Sequence, residues 1–247
     1  MLLAVLFAAG LVRWSLGAQM SEANTKPDPF QVKAVDAAIP RASASPTPTP
    51  TATPTLNPVA SLPATAQLQV AFTSQAPLSR WDALHEDACE EASLLTVKYF
   101  LNGPMPSKEE VDAQIIDTVN WETAKGYDKS ITLAQLNTVA AQKFGMTNGH
   151  VFNYITITDI KAEIAAGHPV ILGMAGKLLA NPNFKNGGPN YHMLVVTGYD
   201  ATGFITNDPG TRLGENFHYD YAGFDTAIHN WDPGNILNGS RSMLVFK

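Results

Sequence analysis

The stretch His85-Glu86-Asp87-Ala88-Cys89-Glu90-Glu91-Ala92-Ser93 decides how this chain is read. An irregular segment turns into a helix here, and the single cysteine of the sequence stands at the turning point. Unpaired backbone N–H groups and the macrodipole at a helix N-terminus favour a thiolate. Glu90 and Glu91 suit a first helical turn, yet two carboxylates raise the pKa of a neighbouring thiol. A reactive Cys89 therefore needs a cationic histidine beside it. The plain alternatives are a small buried cysteine and two ordinary first-turn charges.

Working outward, the helix spans about Ala88 to Leu101 and is stopped by Asn102-Gly103-Pro104. Ser107-Lys108-Glu109-Glu110 reads as a capping box for a second helix that reaches about Lys125. Thr132 caps a third, with Leu133, Leu136, Val139, Ala140 and Phe144 on its apolar stripe and Gly145 as its stop. Thr158 caps a short fourth helix that ends at Gly167. Apolar runs then predict strands over Pro169–Met174, His192–Tyr199, Gly203–Thr206 and Ser242–Phe246, with a helix over about Tyr219–His229. Helices come first and strands follow. That order predicts an α+β domain over residues 67–247, its helices packed on an antiparallel sheet.

Two strand ends carry the polar residues that Cys89 calls for. Tyr191-His192-Met193-Leu194-Val195-Val196 opens a buried strand with a histidine, a rigid mount for a general base. Ile205-Thr206-Asn207-Asp208-Pro209-Gly210 closes a strand with an aspartate. Asp-Pro-Gly is a turn signal in its own right, and Asn207 competes with Asp208 for orienting the imidazole. Cys, His and Asp in this order outline a thiol hydrolase.

Composition narrows the alternatives. The chain has 247 residues, 45% apolar and 15% charged, as in a globular protein. Its formal charge is −6. Residues 1–65 hold four Lys/Arg against three Asp/Glu, and the rest hold twelve against nineteen. An acidic domain without a basic stripe argues against nucleic acid as partner. One cysteine excludes a disulfide framework and a multi-cysteine zinc site. The six histidines lack HExxH spacing, so no metal and no cofactor is expected. Met1–Val12 is almost wholly apolar, which predicts a signal or membrane-anchor segment over residues 1–20, with a buried helix of the domain as the alternative. Residues 21–66 lack periodicity, and Pro46-Thr47-Pro48-Thr49-Pro50-Thr51 predicts an extended spacer. Together they predict an extracytoplasmic, monomeric domain on a stalk.

Four motifs carry a resemblance to a known family. Ser74-Gln75-Ala76-Pro77, Ala88-Cys89-Glu90-Glu91-Ala92-Ser93, Tyr191-His192-Met193-Leu194-Val195-Val196-Thr197-Gly198-Tyr199-Asp200 and Thr206-Asn207-Asp208-Pro209-Gly210-Thr211 resemble those of papain-like cysteine peptidases related to the bacteriocin-leader (double-glycine) processing peptidases. The stand-alone, extracytoplasmic bacterial members are the nearer likeness. The resemblance covers roughly residues 67–247. It implies a papain-like fold, Cys89 as nucleophile, His192 as base and Asp208 as the orienting acid. It also implies Gln75 as the side-chain oxyanion donor, with His85 as the rival nearer in sequence. The chain departs from the family in the long Gln75–Cys89 spacing, in Glu90 where a glycine often follows the cysteine, and in having no transporter attached. The implied activity is hydrolysis of a peptide or protein amide. A thiol acyltransferase with the same triad, and a non-catalytic peptide- or wall-binding module, are the alternatives.

Overall fold

The computed structural model describes residues 61–247. The apolar segment and the spacer up to residue 60 lie outside the described residues. Among the described residues strand β1 (Ala66–Gln67) comes first. Helix α1 (Cys89–Asn102), α2 (Lys108–Ala124) and α3 (Leu133–Phe144) follow. Then come β2 (Gly149–Asn153), α4 (Ile157–Ala165), β3 (Val170–Ala175), β4 (Tyr191–Tyr199), β5 (Gly203–Asn207), β6 (Phe217–Asp220), α5 (Tyr221–Ala227) and β7 (Ser242–Phe246). All strand pairs are antiparallel, in the order β2-β7-β3-β4-β5-β6, and β1 pairs with the far end of β4.

Local chemistry explains the helix starts. Ser107 and Glu110 form a reciprocal capping box, as do Thr132 and Gln135. The fourth helix begins two residues earlier than expected. Thr156, not Thr158, is its N-cap, because Asp159 stands at the third helical position and completes the box with Thr156. The expected helix over Tyr219–His229 also changes. Its first residues belong to β6, which pairs with β5, and Asp220 caps a shorter α5 through Gly223 N–H.

Alternation along the central strands divides the interior in two. Leu194 and Val196 on β4 join Val170, Leu172 and Met174 on β3 and Met243 and Val245 on β7, beneath Ile160 and Ile164 of α4 and Phe224 of α5. Met193 and Val195 join Ile171, Leu244 and Phe246, beneath Leu94 and Val97 of α1 and Leu136 and Val139 of α3. All nine residues of β4 are buried. Truncating one of these aliphatic side chains to alanine removes about 2–5 kcal/mol. At Gly198 a Cβ would lie 2.8 Å from Ala66 O, so only glycine lets β1 pair there. Helix α1 is thus pressed on the middle of the sheet, with its N-terminal residue at the end where β4 begins.

Candidate active site

Cys89 is the first residue of α1, and the side chains of Leu94 and Val97 hold the helix against β4. The backbone N–H of Met193 on β4 donates to Cys89 Sγ at 3.3 Å. His192 precedes it on the strand. Cys89, His192 and Gln75 line one cavity of about 700 Å³, together with Trp81, Phe184, Lys185 and Arg212.

The histidine is held on three sides. Its Nε2 lies 2.8 Å from Asp208 Oδ1, and both side chains are buried. Phe184 meets the ring edge-on at 5.3 Å between centroids. At Gly210 a Cβ would stand 2.8 Å from His192 Cε1 and 2.9 Å from Phe184, so glycine there leaves the imidazole its place. Asp208 is heavily supported. It also accepts from Tyr219 Oη, from Gly210 N–H at 2.9 Å and from Asn181 Nδ2 at 3.4 Å. Burial opposes its charge. The His192 ring, with the hydrogen bonds from His192, Tyr219 and Gly210, outweighs burial and holds its carboxyl below the usual range. An ionised Asp208 fixes the hydrogen of His192 on Nε2 and leaves Nδ1 as the acceptor. Tyr219 stays a neutral donor, because burial and the Asp208 charge raise its pKa.

Asp208, rather than Asn207, faces the imidazole. Asn207 points the other way, its Nδ2 donating to Val70 O at 3.0 Å and its Oδ1 accepting from Asn216 N–H at 3.2 Å. Gln75 lies in the cavity wall, and its backbone N–H donates to Pro209 O at 2.9 Å. Its Nε2 donates to the carbonyls of His85 at 2.7 Å and Glu86 at 3.0 Å, leaving Oε1 buried without a partner. Both side-chain hydrogens thus brace the loop before Cys89. To serve an oxyanion, the amide must give up one of these bonds. His85, the rival donor, is turned elsewhere: Nδ1 is 2.7 Å from Asp82 Oδ1 and Nε2 is 3.1 Å from Asp112 Oδ1.

The first helical turn differs from expectation. Glu90 and Glu91 are not solvated end charges; they are 1% and 3% exposed. The thiol donates to Glu90 Oε2 at 2.9 Å, and Glu90 Oε1 accepts from Ile131 N–H at 3.3 Å. The Cys89 thiol is consequently not acidic at rest. Burial raises its pKa well above the ordinary value, the Glu90 charge adds to this, and the Met193 N–H opposes it only in part. Burial likewise pushes Glu90 up to about 7 against its hydrogen bonds. Burial and the neighbouring Glu122 raise Glu91, and burial raises Glu122. Among the roles that the sequence did not disclose are those of Tyr219, Asn181, Phe184 and Glu90. An aromatic at a strand position facing Asp208 would have marked Tyr219. Nothing in the pattern marks Asn181.

These three carboxyls make stability depend on pH. Their folded pKa values lie above the unfolded value of about 4.3. The folded chain therefore keeps protons that the unfolded chain has lost. The stabilisation is complete below the unfolded value and is lost as pH rises through the folded one. For Glu90, raised from 4.5 to about 7, this is on the order of 3 kcal/mol. The melting temperature should fall as pH is raised from about 5 to about 8, and Glu91→Gln should flatten that fall. A melting temperature that stays level or climbs over this range would contradict the buried, protonated state.

A cysteine at a helix start, packed on an antiparallel sheet that carries a histidine–aspartate pair, defines the papain-like architecture of thiol peptidases. Comparison with known proteins agrees. The model of the Peptidase C39 like family matches residues 67–234. A crystal structure from Bacillus anthracis, assigned as a C39-like peptidase, superposes with a TM-score of 0.50 at 15% identity. The match covers 74% of this chain and 97% of that one. A search of curated proteins returned no match. The chain belongs to the C39-like peptidase family, whose activity type is that of a cysteine peptidase.

Proposed function

We propose that this protein hydrolyses peptide bonds with Cys89 as nucleophile, His192 as general base and acid, and Asp208 as the residue that orients the imidazole. The observation that carries the reading is the buried 2.8 Å contact of His192 Nε2 with Asp208, beside a cavity that Cys89 shares. His192 Nδ1 takes the thiol proton, and the thiolate adds to the substrate carbonyl carbon. The oxyanion receives the Cys89 backbone N–H at the start of α1, and a hydrogen of Gln75 once that amide leaves one of its two carbonyls. The imidazolium then protonates the leaving amine, and water releases the acid from the thioester. The apolar residues 1–12 and the proline-rich spacer support a site of action outside the cytoplasm, on a tether.

A peptidyl electrophile aimed at thiol peptidases, such as a fluoromethyl ketone, tests the reading by intact mass. Wild type should gain one adduct at Cys89, and Cys89→Ala none. A wild-type protein that neither forms the adduct nor cleaves any member of a broad peptide library would overturn it.

A further inference from the structure

The thiol of Cys89 shares a cavity with His192, yet at rest it is bonded to a group that the catalytic reading does not use. That group is Glu90, whose Oε2 lies 2.9 Å from Sγ. Its other oxygen is fixed by Ile131 N–H, so the carboxyl cannot swing away without breaking a second bond. Among the described residues Glu90 forms no ion pair. The charges that face it are acidic: Glu91 on its own helix and Glu122 on α2. From β4 it is faced by Tyr191, whose hydroxyl donates to Ile131 O at 3.1 Å. The cations of the neighbourhood are engaged elsewhere, Lys129 by Asp87 at 2.6 Å and Lys143 by Asp117 at 2.7 Å.

A carboxyl in this setting has two distinct effects on a thiol. Ionised, it only accepts hydrogen bonds, so it requires S–H and repels a thiolate. Protonated, it is itself a donor and can stabilise a thiolate. Resting on the assignment of Cys89 as nucleophile, we propose that Glu90 is a positioning residue that gates this nucleophile by its protonation. The Glu90 carboxylate holds the thiol proton and keeps the thiol from His192. The neutral carboxylic acid releases the thiol to His192 and supports the thiolate formed when Nδ1 takes the proton. Burial holds Glu90 near about 7, so the exchange between the two forms falls close to neutral pH. The peptidase should then be readiest in mildly acidic surroundings, whereas an ordinary thiol grows steadily more reactive as pH rises.

Glu90→Gln reproduces the neutral form, with an amide oxygen for Ile131 N–H and an amide N–H for the thiolate. Because Cys89 is the single cysteine, iodoacetamide reports on it alone. Alkylation rates of the full chain would be followed from about pH 5 to about pH 9 for wild type, Glu90→Gln and His192→Ala. In wild type the rate should level or fall as pH passes about 7. In Glu90→Gln that feature should vanish, and the ratio of variant to wild type should climb about tenfold between about pH 6 and about pH 8. A ratio that is flat or that declines overturns the gate, and a decline would make Glu90 a proton acceptor that assists the thiol. His192→Ala separates this from the catalytic reading. A His192→Ala profile identical to wild type defeats the pairing of Cys89 with His192, whatever Glu90 does. Should Glu90→Gln fail to fold, the wild-type profile alone decides, since a monotonic rise through neutrality means that no gate exists.

Discussion

His192→Ala should lower kcat/KM for a peptide substrate by about ten-thousand-fold, and Cys89→Ala should lower it at least as far. Both losses belong to one machine, so the double variant should be no worse than Cys89→Ala. On the proposed mechanism the thiol proton leaves through the imidazole and the leaving amine is protonated by it, so both transfers should fail without it. Cys89→Ala should lower the melting temperature by a few degrees at most, since the Met193 N–H and Glu90 Oε2 lose the sulfur to which they are bonded. His192→Ala should lower it by a few degrees, since Asp208 then loses a buried partner. A His192→Ala protein that retains more than about a tenth of wild-type turnover would exclude the histidine as base.

Asp208→Ala should reduce both activity and stability. Its carboxylate gathers hydrogen bonds from His192, Tyr219 and Gly210, all of which are orphaned by the change. Breaking a buried pair in this way removes about 3–5 kcal/mol, or about 6–20 °C in melting temperature for a domain of this size. The imidazole also loses its fixed tautomer, so turnover should fall by about a hundred-fold to ten-thousand-fold. Asn207→Ala should cost stability through its lost bonds to Val70 O and Asn216 N–H while turnover changes only weakly. The Asp208 pKa is depressed, so its stabilisation is present above the unfolded value of about 3.9 and is lost as pH falls through the folded value. Acid unfolding should accordingly be less steep in Asp208→Ala. Equal turnover in the two alanine variants would remove Asp208 from the orienting role.

Local signals made much of this fold legible. The capping box at Ser107 and the cap at Thr132 formed as written, because the partners lie within four residues of one another. Strand β7 was visible as Ser242–Phe246 from its run of apolar residues. Strand β2 was not, because Gly-His-Val-Phe-Asn alternates only weakly and owes its conformation to β7, roughly ninety residues downstream. Strand β6 was hidden for the same reason: the pairing with β5, not the sequence at Phe217–Asp220, makes it a strand. The placement of Cys89, His192 and Asp208 at element ends was readable, since such ends are where polar groups leave apolar runs. The side-chain directions were not. Glu90 and Glu91 carry every mark of solvated first-turn residues, and only the packing of α2 and the loop before α3 over α1 encloses them. The bonds of Gln75 to His85 and Glu86 depend on how the intervening loop folds back, which no short-range pattern records.

The place of β7 in the sheet governs when the thiol can become useful. This strand comes last in chain order, yet it lies inside the sheet between β2 and β3, and Leu244 and Phe246 complete the floor under α1. Residue 89 emerges long before residues 192, 208 and 242–246 during synthesis. Until those segments arrive, α1 has no surface to rest on and Cys89 has no Met193 N–H, no histidine and no cavity. Contacts of such long sequence separation make assembly slow and late. A chain still leaving the ribosome therefore carries Cys89 without the partners that surround it in the folded domain.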